Sequence, residues 1–177
     1  MVIVYLKDGT EYLIRQAKVK RDTTGEMEPV KVASESNNLT FGEGELSITL
    51  DEEMEFIKST LDSESRCFLI AEVDGKIIGN LNFVGSNRPR IKHVGEFGVS
   101  ILKEFWGNGL ANDLIDQLIN WAKDGGNITK INLRVKEDNT SAIKLYKKIG
   151  FSIEGFQSRG FCIDGKYFSS YSMGLEL

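Results

Sequence analysis

The chain has 177 residues, 41% of them hydrophobic and only two of them proline, so it is long enough to bury a full core. Its 22 basic and 26 acidic residues leave a net charge of −4, which argues against general nucleic-acid affinity. Two cysteines, Cys67 and Cys162, are too sparse for a disulfide scaffold or a metal site, and both read as lone, buried, reduced thiols.

In chain order, Val2–Leu6 is an apolar run broken at once by Lys7 and Asp8, too short for a signal peptide or a membrane span. With no internal repeat or low-complexity linker in view, the chain reads as one soluble, cytoplasmic domain over residues 1–177. Tyr12–Ala17 reads as a strand. Helical stretches are expected near Gly25–Glu35 and over Asp51–Asp62, the second opened by a Thr49-x-x-Glu52 capping box. Cys67–Val73 and Lys76–Phe83 form a hairpin across Asp74-Gly75, a dipeptide that supplies the positive φ of a tight turn.

The strand Val94–Leu102 then runs into Phe105-Trp106-Gly107-Asn108-Gly109-Leu110-Ala111. Leu110, Leu114, Leu118 and Trp121 recur at helical spacing, so a helix begins where the glycines stop. A helix start presents main-chain N–H groups without intrahelical partners, and glycine lets a bulky anion approach them. The nucleotide P-loop is excluded, because Leu110-Ala111 supply neither its lysine nor its hydroxyl. The dinucleotide fingerprint is excluded as well, since its third glycine position is Asn112.

Ile128–Val135 alternates as a half-buried strand, and Asp138 or Asn139 caps a short helix that stops at Gly150. Asn139 and Tyr146 fall on one face of that helix. Phe151–Cys162 and Lys166–Met173 close the chain as a hairpin across Asp164-Gly165. Strands alternating with helices but framed by hairpins indicate an α+β fold with a mixed sheet.

These two segments resemble those of the GNAT superfamily of acyl-CoA-dependent N-acetyltransferases. Gly109 and Ala111 match the last two positions of its Gln/Arg-x-x-Gly-x-Gly/Ala pyrophosphate motif, with Trp106 where Gln or Arg is usual. Asn139, Ala142, Tyr146, Gly150 and Phe151 match its Asn-x-x-Ala-x-x-x-Tyr-x-x-x-Gly-Phe motif in register. The wording around Trp106-Gly107 is similar to the branch of ribosomal-protein-alanine and polyamine acetyltransferases. The likeness covers residues 66–151, reaches back weakly to Arg15, and fades toward Leu177.

The resemblance implies a mostly antiparallel mixed sheet flanked by helices, and transfer of an acetyl group from acetyl-CoA to a primary amine by direct attack, without a metal. It implies that N–H groups of Gly107, Asn108, Gly109, Leu110, Ala111 and Asn112 hold the pyrophosphate. The exposed backbone of Val99 and Ile101 would pair with the pantetheine arm as an added strand. A bulge and splay in that strand would open the groove, eased by Gly95 and Gly98. Asn139 would bond the pantetheine region and Tyr146 would protonate the departing thiolate. Glu96, near the site end of the strand, is the candidate base, while His93 reads as a strand-end histidine.

The acidic set Glu43, Glu45, Asp51, Glu52, Glu53, Glu55, Asp62 and Glu64 reads as a solvated helix face. The same residues would also suit an entrance for a cationic acceptor such as a polyamine or a protein N-terminus. Lys136, Lys144, Lys147 and Lys148 cluster around the second helix as surface lysines or as partners of a nucleotide 3′-phosphate. No nucleic-acid or membrane partner is expected, and homodimers are common among the proteins resembled. Two other readings stay open: a non-catalytic acyl-CoA sensor, and a site for another phosphate ligand such as a nucleotide.

Overall fold

The computed structural model describes residues 1–22, 36–39 and 49–177, without side chains at 20 and 21. The expected helix near Gly25–Glu35 and the acidic residues Glu43 and Glu45 lie outside the described residues. Eight strands form one sheet: β1 Val2–Tyr5, β2 Glu11–Gln16, β3 Arg66–Val73, β4 Lys76–Gly85, β5 Val94–Ile101, β6 Lys130–Lys136, β7 Ser152–Ile163 and β8 Lys166–Glu176. Their order across the sheet is β1-β2-β3-β4-β5-β6-β8-β7, with β5 and β6 parallel and the other neighbours antiparallel. The helices are α1 Val19–Asp22, α2 Leu50–Leu61, α3 Leu110–Gly125 and α4 Thr140–Ile149.

The expected mixed sheet is the one observed, and most elements fall where the local chemistry puts them. The Thr49 and Glu52 capping box opens α2, each side chain bonding the other's backbone. Asp74 and Gly75 have φ of 50° and 81°, and Asp164 and Gly165 have φ of 50° and 75°, so both hairpin turns are left-handed pairs that match strand twist. The first strand was not expected. Val2–Tyr5 is short, yet it pairs with β2 from Val2↔Ile14 to Tyr5↔Glu11 as the outermost strand.

The two faces of the sheet carry different cores. On one, Leu110, Leu114, Ile115 and Leu118 of α3 and Tyr146 of α4 pack with Leu81, Phe83, Phe97, Ile131 and Leu133. On the other, Ile57 of α2 packs with Phe68, Ile70 and Ala17. Because side chains alternate along a strand, this second face also carries Asn82, Glu96, Gly98, Asn132 and Arg134.

Three expectations about side chains are corrected here. Cys67 is buried but Cys162 is exposed, because position 162 on β7 points away from the core. Lys136 is not a surface lysine: it is 6% exposed, pairs with Asp138 at 3.1 Å and lies 4.1 Å from the Phe168 ring. Glu53 is likewise buried rather than part of a solvated face.

Candidate functional site

The site begins where two central strands part. β5 and β6 pair only through Val94↔Lys130, Gly95↔Ile131 and Glu96↔Asn132, after which β6 continues against β8 alone. The N–H of Leu102 donates to the Ile78 carbonyl at 3.0 Å. In an antiparallel ladder this alternation turns the main-chain groups of Gly98 and Ser100 toward β4. Those of Val99 and Ile101 therefore face the split. The indole Nε1–H of Trp106, a side chain without an assigned contact at the sequence level, donates to the Ile101 carbonyl at 2.8 Å. Ile101 thus has its N–H left for a ligand, while Val99 has both groups.

A splay is present, but the expected bulge in β5 is not. The β4–β5 register runs without a shift from Gly79↔Ile101 to Gly85↔Gly95. Gly95 has a different reason to be glycine, since a Cβ there would come within 2.4 Å of the Phe83 ring and 2.6 Å of the Val84 carbonyl. Around Gly98, by contrast, a Cβ would meet none of the described residues within 4 Å, so among them the backbone there floors open space on the second face.

One turn after the strand, the chain enters α3 through Gly107 and Gly109, with φ of 75° and 97°. Gly109 is the N-cap and offers no side chain, so no side-chain bond closes the helix start. Asn108 folds back instead, its Nδ2 donating to the Phe105 carbonyl at 3.2 Å. Asn112 is tied by Nδ2 to Asp116 at 2.8 Å, which leaves its main-chain N–H as its group at the helix start. Asp113 accepts a hydrogen bond from the Tyr12 hydroxyl, anchoring α3 to β2. Burial, and then the Asp113 charge, raise the Asp116 carboxyl above its ordinary range. The arrangement leaves main-chain N–H groups at the positive end of a four-turn helix, a geometry suited to an anion.

Asn139 and Tyr146 lie across the split, on α4. Asn139 is the N-cap, its Oδ1 accepting from the Ala142 N–H at 3.3 Å and from Ser141 at 3.1 Å. Only its Nδ2 remains for a ligand. Tyr146 stacks edge-on against Phe97 and Phe151, with ring centroids 6.1 and 6.0 Å apart. Its hydroxyl has no hydrogen-bond partner among the described residues, and burial pushes the phenol up to about 12. Tyr146 packs on Phe97 of β5 and Asn139 follows the end of β6, so α4 is tied to both strands that part.

Glu96 stands apart from these, on the opposite face of β5 from Phe97. It is exposed and has no partner among the described residues. The residues around it are ones that sequence reasoning passed over: Asn132 directly opposite, Asn82 opposite Gly98, and Arg134 two positions along β6. The signal available was the polar half of the alternation in β6. A separate cavity of about 480 Å³, beside Met1, Arg15, Gln16 and Trp121, reaches the far end of α3 and shares no residue with the split.

Comparison with known proteins agrees with this geometry. Residues 32–151 match the model of the acetyltransferase (GNAT) family. The L-amino acid N-acetyltransferase AaaT of Escherichia coli K12 is 35% identical over 105 residues, covering 59% of this chain and 65% of that protein. The spermidine N(1)-acetyltransferase of the same strain is 32% identical over 112 residues, covering 63% of this chain and 59% of that protein. The chain thus spans 65% or less of the length of these two curated relatives. A solved acetyltransferase of the GNAT family from Streptococcus pneumoniae superposes with a TM-score of 0.88 at 33% identity, covering 94% of this chain and 99% of that one.

Proposed function

Because the chain belongs to the acetyltransferase (GNAT) family, we propose that it transfers an acetyl group from acetyl-CoA to a primary amine within a ternary complex. The observation that carries this reading is the open main-chain edge of Val99 and Ile101, which leads directly into an uncapped helix start. An amide-bearing arm fits the first and a diphosphate fits the second. N–H groups of Gly107, Asn108, Gly109, Leu110, Ala111 and Asn112 are the assigned diphosphate donors. The Asn139 Nδ2 is the assigned donor to the arm.

In the reaction, the neutral amine nitrogen attacks the thioester carbonyl carbon, the C–N bond forms and the C–S bond breaks. The leaving sulfur takes a proton from the Tyr146 hydroxyl, and the proton that the new amide nitrogen sheds restores the phenol through solvent. A phenol held near 12 keeps that proton throughout the neutral range, so it is available as donor. The incoming ammonium must first lose its proton, and Glu96 takes it directly or through water. Replacing Glu96 by Gln then slows turnover most at low pH, where little free amine exists in bulk water. An unchanged pH–rate profile would remove Glu96 from this role.

The direct test is release of free coenzyme A thiol from acetyl-CoA with a panel of primary amines. Protection against thermal unfolding by coenzyme A without thiol release from any amine would favour an acyl-CoA sensor instead. Stronger protection by ATP than by coenzyme A would overturn the cradle assignment.

A further inference from the structure

The second face of the sheet, beside the split, holds opposite charges that leave each other alone. Glu96 on β5 and Arg134 on β6 share this face, and neither has an ion-pair or hydrogen-bond partner among the described residues. From strand geometry their Cα atoms lie roughly 8 Å apart, close enough for long side chains to meet. Asn132 stands between them, directly opposite Glu96 and two residues before Arg134.

Two further features mark the spot. The Oδ1 atoms of Asn82 and Asn132 are sealed from solvent and have no hydrogen-bond donor among the described residues. A side-chain carbonyl left this way is costly, and two on one face make the floor of the patch polar beneath its exposed charges. Space is also present. Gly98 carries none of the described residues above it, and Arg134 is flanked on β8 by Ser172, itself opposite Gly155.

We propose that this patch is a dipolar acceptor subsite that selects amines bearing a carboxylate next to the amino group, the α-amino acid class. The proposal rests on the acetyltransferase reading and names the acceptor side of the same site. The exposed Glu96 carboxylate receives the ammonium N–H groups before deprotonation. The Arg134 guanidinium receives the carboxylate, a pairing whose planar fork suits two parallel bonds. A polyamine satisfies the first half of this patch and leaves Arg134 unmatched. The free acid of an amino acid satisfies both.

The test compares L-alanine, L-leucine and L-glutamine with their α-carboxamides and with spermidine, using thiol release for kcat/KM. The expected result is a preference of about tenfold or more for each free acid over its amide. Arg134→Gln, at an exposed strand position, should collapse that acid-to-amide ratio toward unity. Glu96→Gln should instead depress acids and amides together. Calorimetric binding of the same compounds to the coenzyme A-saturated protein reads the contrast without turnover. Failure of transfer and failure of the subsite therefore give different results. A wild-type preference for amides or spermidine, an acid-to-amide ratio that Arg134→Gln leaves intact, or no calorimetric contrast overturns the subsite.

Discussion

In the proposed reaction, Tyr146 serves the core and the chemistry together. Its ring closes an aromatic cluster with Phe97 and Phe151, while its hydroxyl has no partner among the described residues. Tyr146→Phe keeps the packing and removes only the proton. Turnover should fall by about 10²-fold, the lower end for a lost general acid, with the KM for acetyl-CoA little changed. Steady-state kinetics decide this, and unaltered turnover would strip Tyr146 of the acid role. Gly109 makes the complementary case. At φ of 97° a β-branched side chain is strained, and its Cβ would come within 3.8 Å of the Asp113 carboxylate at the helix start. Gly109→Val should therefore weaken coenzyme A binding by calorimetry, and an unaltered dissociation constant would contradict the cradle. Asn132 poses a question of stability. Asn132→Leu removes a sealed carbonyl that has no donor among the described residues, so unfolding by urea should be unchanged or slightly harder. A loss of stability larger than about 1 kcal/mol would mean that the amide already has a structural partner.

At the scale of elements, a buried ionic cluster holds the short helix α1 beside the packing of Val19 on the second core. Arg15 of β2 donates to both carboxylate oxygens of Asp22 at 2.6 Å, and its Nε donates to Glu72 of β3 at 3.0 Å. All three side chains are buried. The bond to Asp22 is the largest influence raising the Arg15 guanidinium above its already high ordinary value. Arg15→Leu removes the cation that two buried carboxylates share, which costs about 3–5 kcal/mol when one partner of a buried ionic cluster is lost. Urea unfolding measures this, and a loss below about 1 kcal/mol would show that the cluster is not what fastens α1. Elements of this kind explain which parts of the fold could be read from the chain. The α2 capping box, the Asp-Gly turns and the Asn139-to-Gly150 helix are specified by residues within a few positions of each other, and each was legible. The parting of β5 from β6 depends on where β8 inserts beside β6, a long-range fact that no local pattern carries. The Trp106 bond to Ile101 and the pairing of Val2–Tyr5 with β2 are tertiary in the same sense. Gly95 was read as an aid to distortion because its reason, the Phe83 ring beneath it, sits on another strand.

For the whole molecule, burial of neutral acids ties stability to pH on the alkaline side. Burial pushes the Cys67 thiol from its ordinary 9.0 up to about 12, and the Tyr146 phenol from 10.0 up to about 12. Burial raises the Tyr12 phenol further still, helped by its bond to Asp113. In each case the folded protein holds a proton that the unfolded chain gives up sooner. The unfolded state then binds fewer protons than the folded one, and stability must fall as pH rises. This stabilisation is complete below the ordinary value of 9.0 for Cys67 and declines through about 12. Once its unfolded counterpart is ionised, each such group removes about 1.4 kcal/mol per pH unit. The urea midpoint should therefore hold steady up to about pH 8.5 and drop progressively toward about pH 11. Cys67→Ala should delay the onset of that drop by about one pH unit, because the first group to ionise in the unfolded chain is gone and the tyrosines remain. A midpoint equally high at about pH 8 and about pH 11 would mean that these groups are reached by water in the folded state, and with Tyr146 exposed the proton donor assigned to the departing thiolate would lose its protected position.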